Sequence, residues 1–138
     1  MKQILTFCFF LFIATTYAQT KEKLNHIDVE LKKCLNKKDI SNADICNCTI
    51  AARNEWDKEL NKYYKLLMSN LPKEAKEDLK LAQKNWVTYR DNEFKFILKY
   101  YYEVKEGNMW FAVSEERKMD LVKYRALELI NYYETLEY

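Results

Sequence analysis

In 138 residues there is one glycine, Gly107, and one proline, Pro72. Tight hairpins, barrel corners and phosphate-cradling loops use glycine where the backbone needs a positive φ, so this chain is poorly equipped for any of them. Long helices remain as the expected structure. The length suits one globular domain, and the sequence predicts a single all-α unit.

The first residues, "MKQILTFCFFLFIATTYAQ", combine a basic start at Lys2, an apolar run from Ile4 to Ile13 and small residues Thr16 and Ala18 placed for cleavage. That pattern predicts a signal peptide over 1–18 and a mature helical domain over 19–138. The apolar run is too short to cross a bilayer and no later segment is longer, so no membrane span is expected after cleavage. An exported location, periplasmic or secreted, follows. Without Lys2, 22 basic residues face 21 acidic ones. So even a balance gives no reason to expect nucleic acid as a partner.

Three cysteines remain in the mature chain: Cys34, Cys46 and Cys48. In an oxidising compartment two should pair and one be left over. Cys46 and Cys48 point about 200° apart on a helix, so both cannot face Cys34. Ile45, Cys48, Ala52, Trp56 and Tyr63 form an apolar stripe, which turns Cys48 inward and makes Cys34–Cys48 the expected bridge. A metal site is not expected: Cys46 and Cys48 are badly spaced for a helix-borne pair, and His26, the only histidine, lacks a clear ligand set. No cofactor is expected either.

A first helix is expected from about Lys23 to Leu35, with Leu24, Ile27 and Leu31 buried. Ser41 followed three residues later by Asp44 resembles a capping arrangement and starts a second helix, about 42–69. Pro72 suits the opening turn of a third, about 73–105, ended by Gly107. Its apolar positions are Leu79, Ala82, Trp86, Tyr89, Phe94, Ile97 and Tyr101. A last helix, about 109–134, has Trp110, Val113, Leu121, Tyr124 and Leu129 as apolar positions. The second and third helices are expected to form an antiparallel hairpin, packed with the N-terminal and C-terminal helices.

Two polar stripes fall on that hairpin. One is Asp57, Asn61 and Tyr64 with Leu60 and Leu67 beside it, and the other is Gln83, Trp86 and Arg90. Residues level with each other on antiparallel helices have a constant sum of positions, and Asp57–Arg90, Asn61–Trp86 and Tyr64–Gln83 all sum to 147. A carboxylate suits a guanidinium, an amide oxygen an indole N–H, and a phenol an amide. The stripes are therefore expected to pair and hold the helices in register. Acid–base catalysis needs a group titrating near neutrality, and no Ser/His or Cys/His set or Gly-rich loop is present, so the chain is not expected to be an enzyme.

The combination of Cys34 and Cys48 with "WDKELNKYY" at 56–64 and "LKLAQKNWVTYRD" at 79–91 resembles the LprI lysozyme inhibitor N-terminal domain family of small exported helical domains. The family's first block falls on Cys48, Asp57, Leu60, Asn61 and Tyr64, and its second on Gln83, Trp86, Arg90 and Asp91. A cysteine that the family often carries four residues after the arginine is Phe94 here, and Cys46 is extra. The resemblance implies a non-catalytic exported binding domain that inhibits lysozyme. A second role to be weighed is a cell-envelope structural or stress protein binding another envelope component or itself.

Of eleven tyrosines, six cluster at "KYYYE", 99–103, and "NYYETLEY", 131–138. Three adjacent tyrosines on a helix cannot all face one core. The rings can simply roof a thin core, but Tyr100 and Tyr102, with Glu103, Glu106, Glu115 and Glu116 near the third helix's end, are the candidate contacts for a basic partner.

Overall fold

The computed structural model describes residues 26–136. The expected signal peptide, 1–18, and residues 23–25 of the expected first helix lie outside them. Helix α1 covers 26–35, α2 runs Asn42–Asn70, α3 Lys73–Lys99, a π-helical turn Tyr100–Val104, and α4 Met109–Thr135. No strand occurs among the described residues.

The boundaries have local chemical causes. Ser41 caps α2: the Asp44 N–H donates to its Oγ at 3.1 Å, and its own N–H donates to Asp44 Oδ2 at 3.1 Å, a reciprocal capping box. Helix α2 stops before Pro72, which holds the extended backbone that precedes α3. The loop before α2 bends through Asp39 at φ 56°, a conformation an aspartate tolerates.

Helix α3 does not continue to 105 as an α-helix. From Tyr100 the repeat widens, and the Lys105 N–H donates to the Tyr100 carbonyl five residues back at 3.0 Å. Gly107, at φ +99°, then lets the chain reverse into α4.

The core lies chiefly between α2 and α4. Trp56, Leu60 and Leu67 from α2 meet Met119, Val122, Ala126 and Leu129 from α4. Burying Leu60, Leu67 and Leu129 contributes roughly 1.5–3 kcal/mol each. Contacts between the two helices advance in the same direction along both: Arg53 with Glu115, Trp56 under Lys123, Tyr63 against Tyr133. The two helices therefore run parallel, and α3 is the return path between them.

This arrangement corrects the expected hairpin packing in detail. Helices α2 and α3 are antiparallel neighbours, but α3 lies at the edge, and Ile97 is its one fully buried residue. Tyr89 and Ala82, expected inside, are exposed. On α4 the buried residues are Ser114, Glu115, Lys118, Met119, Val122, Ala126, Leu129 and Ile130, not the expected line. Of the expected positions only Leu129 is fully buried; Trp110, Val113 and Leu121 are half-buried and Tyr124 is exposed.

The disulfide joins Cys34 of α1 to Cys48 of α2, as the stripe argument predicted, and Cys46 stays free. A second tie is ionic: Lys123 Nζ donates to both Asp28 oxygens, at 2.8 and 2.7 Å. Together they hold α1 against α2 and α4.

Candidate functional site

Three groups of polar or exposed side chains stand out from the core. They are the two family stripes, a buried charged cluster, and the tip where α3 turns into α4.

The stripes do not pair with each other. Asn61 Nδ2 donates within its own helix, to the Asp57 carbonyl at 2.8 Å and to Asp57 Oδ2 at 2.9 Å. Arg90 turns to the next residue, with Nη2 donating to Asp91 Oδ1 at 2.7 Å and Nε to the same oxygen at 2.9 Å. Its guanidinium lies over the Trp86 ring at 5.4 Å and the Phe94 ring at 6.0 Å. Gln83 Oε1 accepts from Arg125 Nε at 3.0 Å, so that end of the stripe is tied to α4. The physical reason is the packing: α3 rides on the edge of the α2–α4 pair, and its polar line faces α4 as much as α2. The expected register does survive in one contact, since Arg53 of α2 lies 5.6 Å over Phe94. Trp86 and Phe94 pack against the core, as does Tyr64, and Leu60 is inside it.

The charged cluster was not foreseen. Glu115, expected on the surface, is buried: its side chain is 9% exposed and that of Lys118 is 7%. Arg53 Nη1 donates to Glu115 Oε2 at 2.7 Å, and Lys118 Nζ donates to Oε1. Both carboxylate oxygens are thus used, and Glu115 cannot serve as a free contact for a basic partner. The signal was present in the sequence: extending the line Met119, Val122, Ala126 back by one turn reaches Glu115 and Lys118. Beside this cluster, burial and the Glu115 charge push the Cys46 thiol upward. A thiol so held is protonated and a weak nucleophile, which is unsuited to covalent chemistry.

The tip remains. Tyr102 stacks on Phe111 at 4.2 Å between centroids, and Tyr101 on Trp110 at 5.8 Å. These pairs clamp the π-helical turn to the first turns of α4. Tyr102 is nevertheless 44% exposed and Val104 63%, with Met109 and Phe111 also exposed. Tyr100 is half-buried and shares the Lys105 ammonium with Trp110, at 5.4 and 5.2 Å. Glu103, Glu106 and Glu116 are exposed, and Glu116 stands two turns beyond Met109 on the same line of α4. Desolvation and the nearby Glu115 charge raise the Tyr102 phenol above its ordinary range, so it remains a neutral hydrogen-bond donor. The tip is thus an exposed apolar patch edged with carboxylates.

Among the described residues, no helix is long and apolar enough to cross a membrane. No group of three His, Cys, Asp or Glu among them could hold a metal.

A family model described as Lysozyme inhibitor LprI matches residues 34–129, from the disulfide nearly to the end of α4's buried line. No curated protein matches the chain. Among solved structures, the chain is similar to the crystal structure of an uncharacterized protein from Burkholderia thailandensis, with 30% identity and a TM-score of 0.69. That match covers 75% of this chain and 50% of that one, so this chain spans about half the length of its solved relative.

Proposed function

The chain belongs to the LprI lysozyme inhibitor family, and on that premise we propose that it is an exported, non-catalytic binding protein that inhibits a lysozyme or a related peptidoglycan-cleaving enzyme. The observation that carries this reading is the tip: Tyr102, Val104, Met109 and Phe111 leave apolar and aromatic surface uncovered at the α3–α4 turn. Aromatic side chains with a polar end are frequent anchors of protein interfaces. The carboxylates of Glu103, Glu106 and Glu116 around them favour a basic partner surface. Export rests on the signal peptide expected over residues 1–18.

The family stripes fit a different role. Asp57, Asn61, Gln83, Arg90 and Asp91 are engaged with one another or with α4, which suits a scaffold that presents the tip. The test is lysis of a cell-wall suspension by a lysozyme in the presence of purified residues 19–138. Slowed lysis with co-elution of the two proteins is expected at micromolar concentration. Unchanged lysis and separate elution would remove the inhibitor reading, and self-association in the same experiment would favour an envelope role in which the tip meets a second copy.

A further inference from the structure

On the flank of the α3–α4 turn lies a groove of about 420 Å³, walled by Phe96 and Tyr100 on one side and Tyr124 on the other. We propose that this groove binds a short oligosaccharide, a role separate from the protein-binding tip.

Two rings define it. Phe96 is 61% exposed and Tyr124 68%, so neither is held in place by the core. Phe96 stacks on Tyr100 with centroids 5.9 Å apart and planes 28° off parallel, which fixes it as a flat wall. Between the walls stand Glu93, Arg117 and Asp120. None of the three makes an ion pair or hydrogen bond with another described residue, so two carboxylates and a guanidinium face the groove with their acceptors and donors unused.

The chemistry selects among ligand classes. A sugar ring offers a face of C–H bonds to an aromatic wall and a rim of hydroxyls that both donate and accept, which matches rings flanked by carboxylates and a guanidinium. A lipid chain would strip water from three ionic groups with nothing in return. A phosphorylated ligand would meet two carboxylates against one guanidinium. A peptide adding as a strand finds no open sheet edge on a wall of helices, and a proline-rich one, lacking backbone N–H groups at its prolines, would leave the two carboxylates short of donors. The volume lies within the range of roughly 300–1,000 Å³ typical of small-molecule clefts.

The experiment is a calorimetric titration of residues 19–138 with N,N′,N″-triacetylchitotriose and, in a second arm, with cellotriose. Saturable binding of either is expected, and the comparison reports whether acetamido groups are needed. Phe96→Ala and Tyr124→Ala should each weaken binding by roughly tenfold. Both rings are exposed, so melting temperatures should hold, and Leu81→Ala, on exposed surface away from the groove, should leave binding unchanged. Absence of saturable binding at millimolar sugar would overturn the proposal, as would binding that neither ring substitution alters. Lysozyme binding lost in the ring variants without any sugar binding would reassign the groove to a protein interface. Because lysis inhibition is read in a separate assay, failure of either role leaves the other measurable.

Discussion

Arg125 on α4 donates through Nε to Gln83 Oε1 on α3 at 3.0 Å, joining the edge helix to the core pair. The same guanidinium also reaches Glu128 through Nη1 at 2.5 Å, and its side chain is only 10% exposed. Gln83→Ala would leave a mostly buried charged donor without its cross-helix acceptor. A hydrogen bond to a charged group contributes about 1.5–3 kcal/mol, and urea unfolding should show a loss in that range. Gln83→Glu keeps an acceptor there and should retain stability.

Glu115 and Asp57 should behave oppositely to what surface logic suggests. Glu115→Ala strands Arg53 and the buried Lys118 without their shared carboxylate, a loss expected to cost about 3–5 kcal/mol. Among the described residues Asp57 has only Asn61 as its side-chain partner, one helical turn along α2. Asp57→Ala should therefore cost about 1 kcal/mol or less. Thermal unfolding of the two variants side by side distinguishes them.

What could be read ahead of the structure was local. The Ser41–Asp44 cap, the stops at Pro72 and Gly107 and the inward turn of Cys48 each depend on neighbours within a few positions, and each is found. The stripe ladder failed because it assumed that helices joined by a short turn share the main interface. Here the main interface joins α2 to α4 across the whole of α3, and no spacing within one helix encodes that choice. Apolar content misled on α4 for a related reason: Trp110, Leu121 and Tyr124 look like a core line, whereas the true line starts with the polar residues Ser114, Glu115 and Lys118, and Arg53 of α2 pairs with Glu115 across the interface. Of the tip, the tyrosine run was visible but the π-helical turn that aims Tyr102 outward was not.

The cysteines should separate cleanly. Cys34→Ser removes a bridge that closes a separation of 14 residues, worth about 3 kcal/mol in the chain-entropy treatment. Cys46→Ser should change stability by less than about 0.5 kcal/mol. Because burial and Glu115 keep its thiol protonated, Cys46 in the native protein should react with a thiol reagent more slowly than in the unfolded chain.

Acid should loosen the start of α2. The hydrogen bonds from Ser41 hold the Asp44 carboxyl below its ordinary value of 3.8. With the folded value the lower one, this contribution is complete above the ordinary range and is lost as pH falls through the folded value. Protection of the amides at the α2 N-terminus, taken relative to their intrinsic exchange rates, should fall below about pH 4, and Asp44→Asn should remove that dependence.

The division between a presenting scaffold and a working tip is tested most directly by lysozyme affinity in two variants measured together. Tyr102→Ala combined with Phe111→Ala deletes the stacked pair at the tip, and Gln83→Ala weakens the scaffold stripe. Affinity should fall by about a hundredfold or more in the tip variant, as for loss of interface anchors. At a temperature where Gln83→Ala is folded, its affinity should match that of the unaltered protein. Full affinity in the tip variant, with binding lost in folded Gln83→Ala, would contradict the assignment and move the working surface to the stripe.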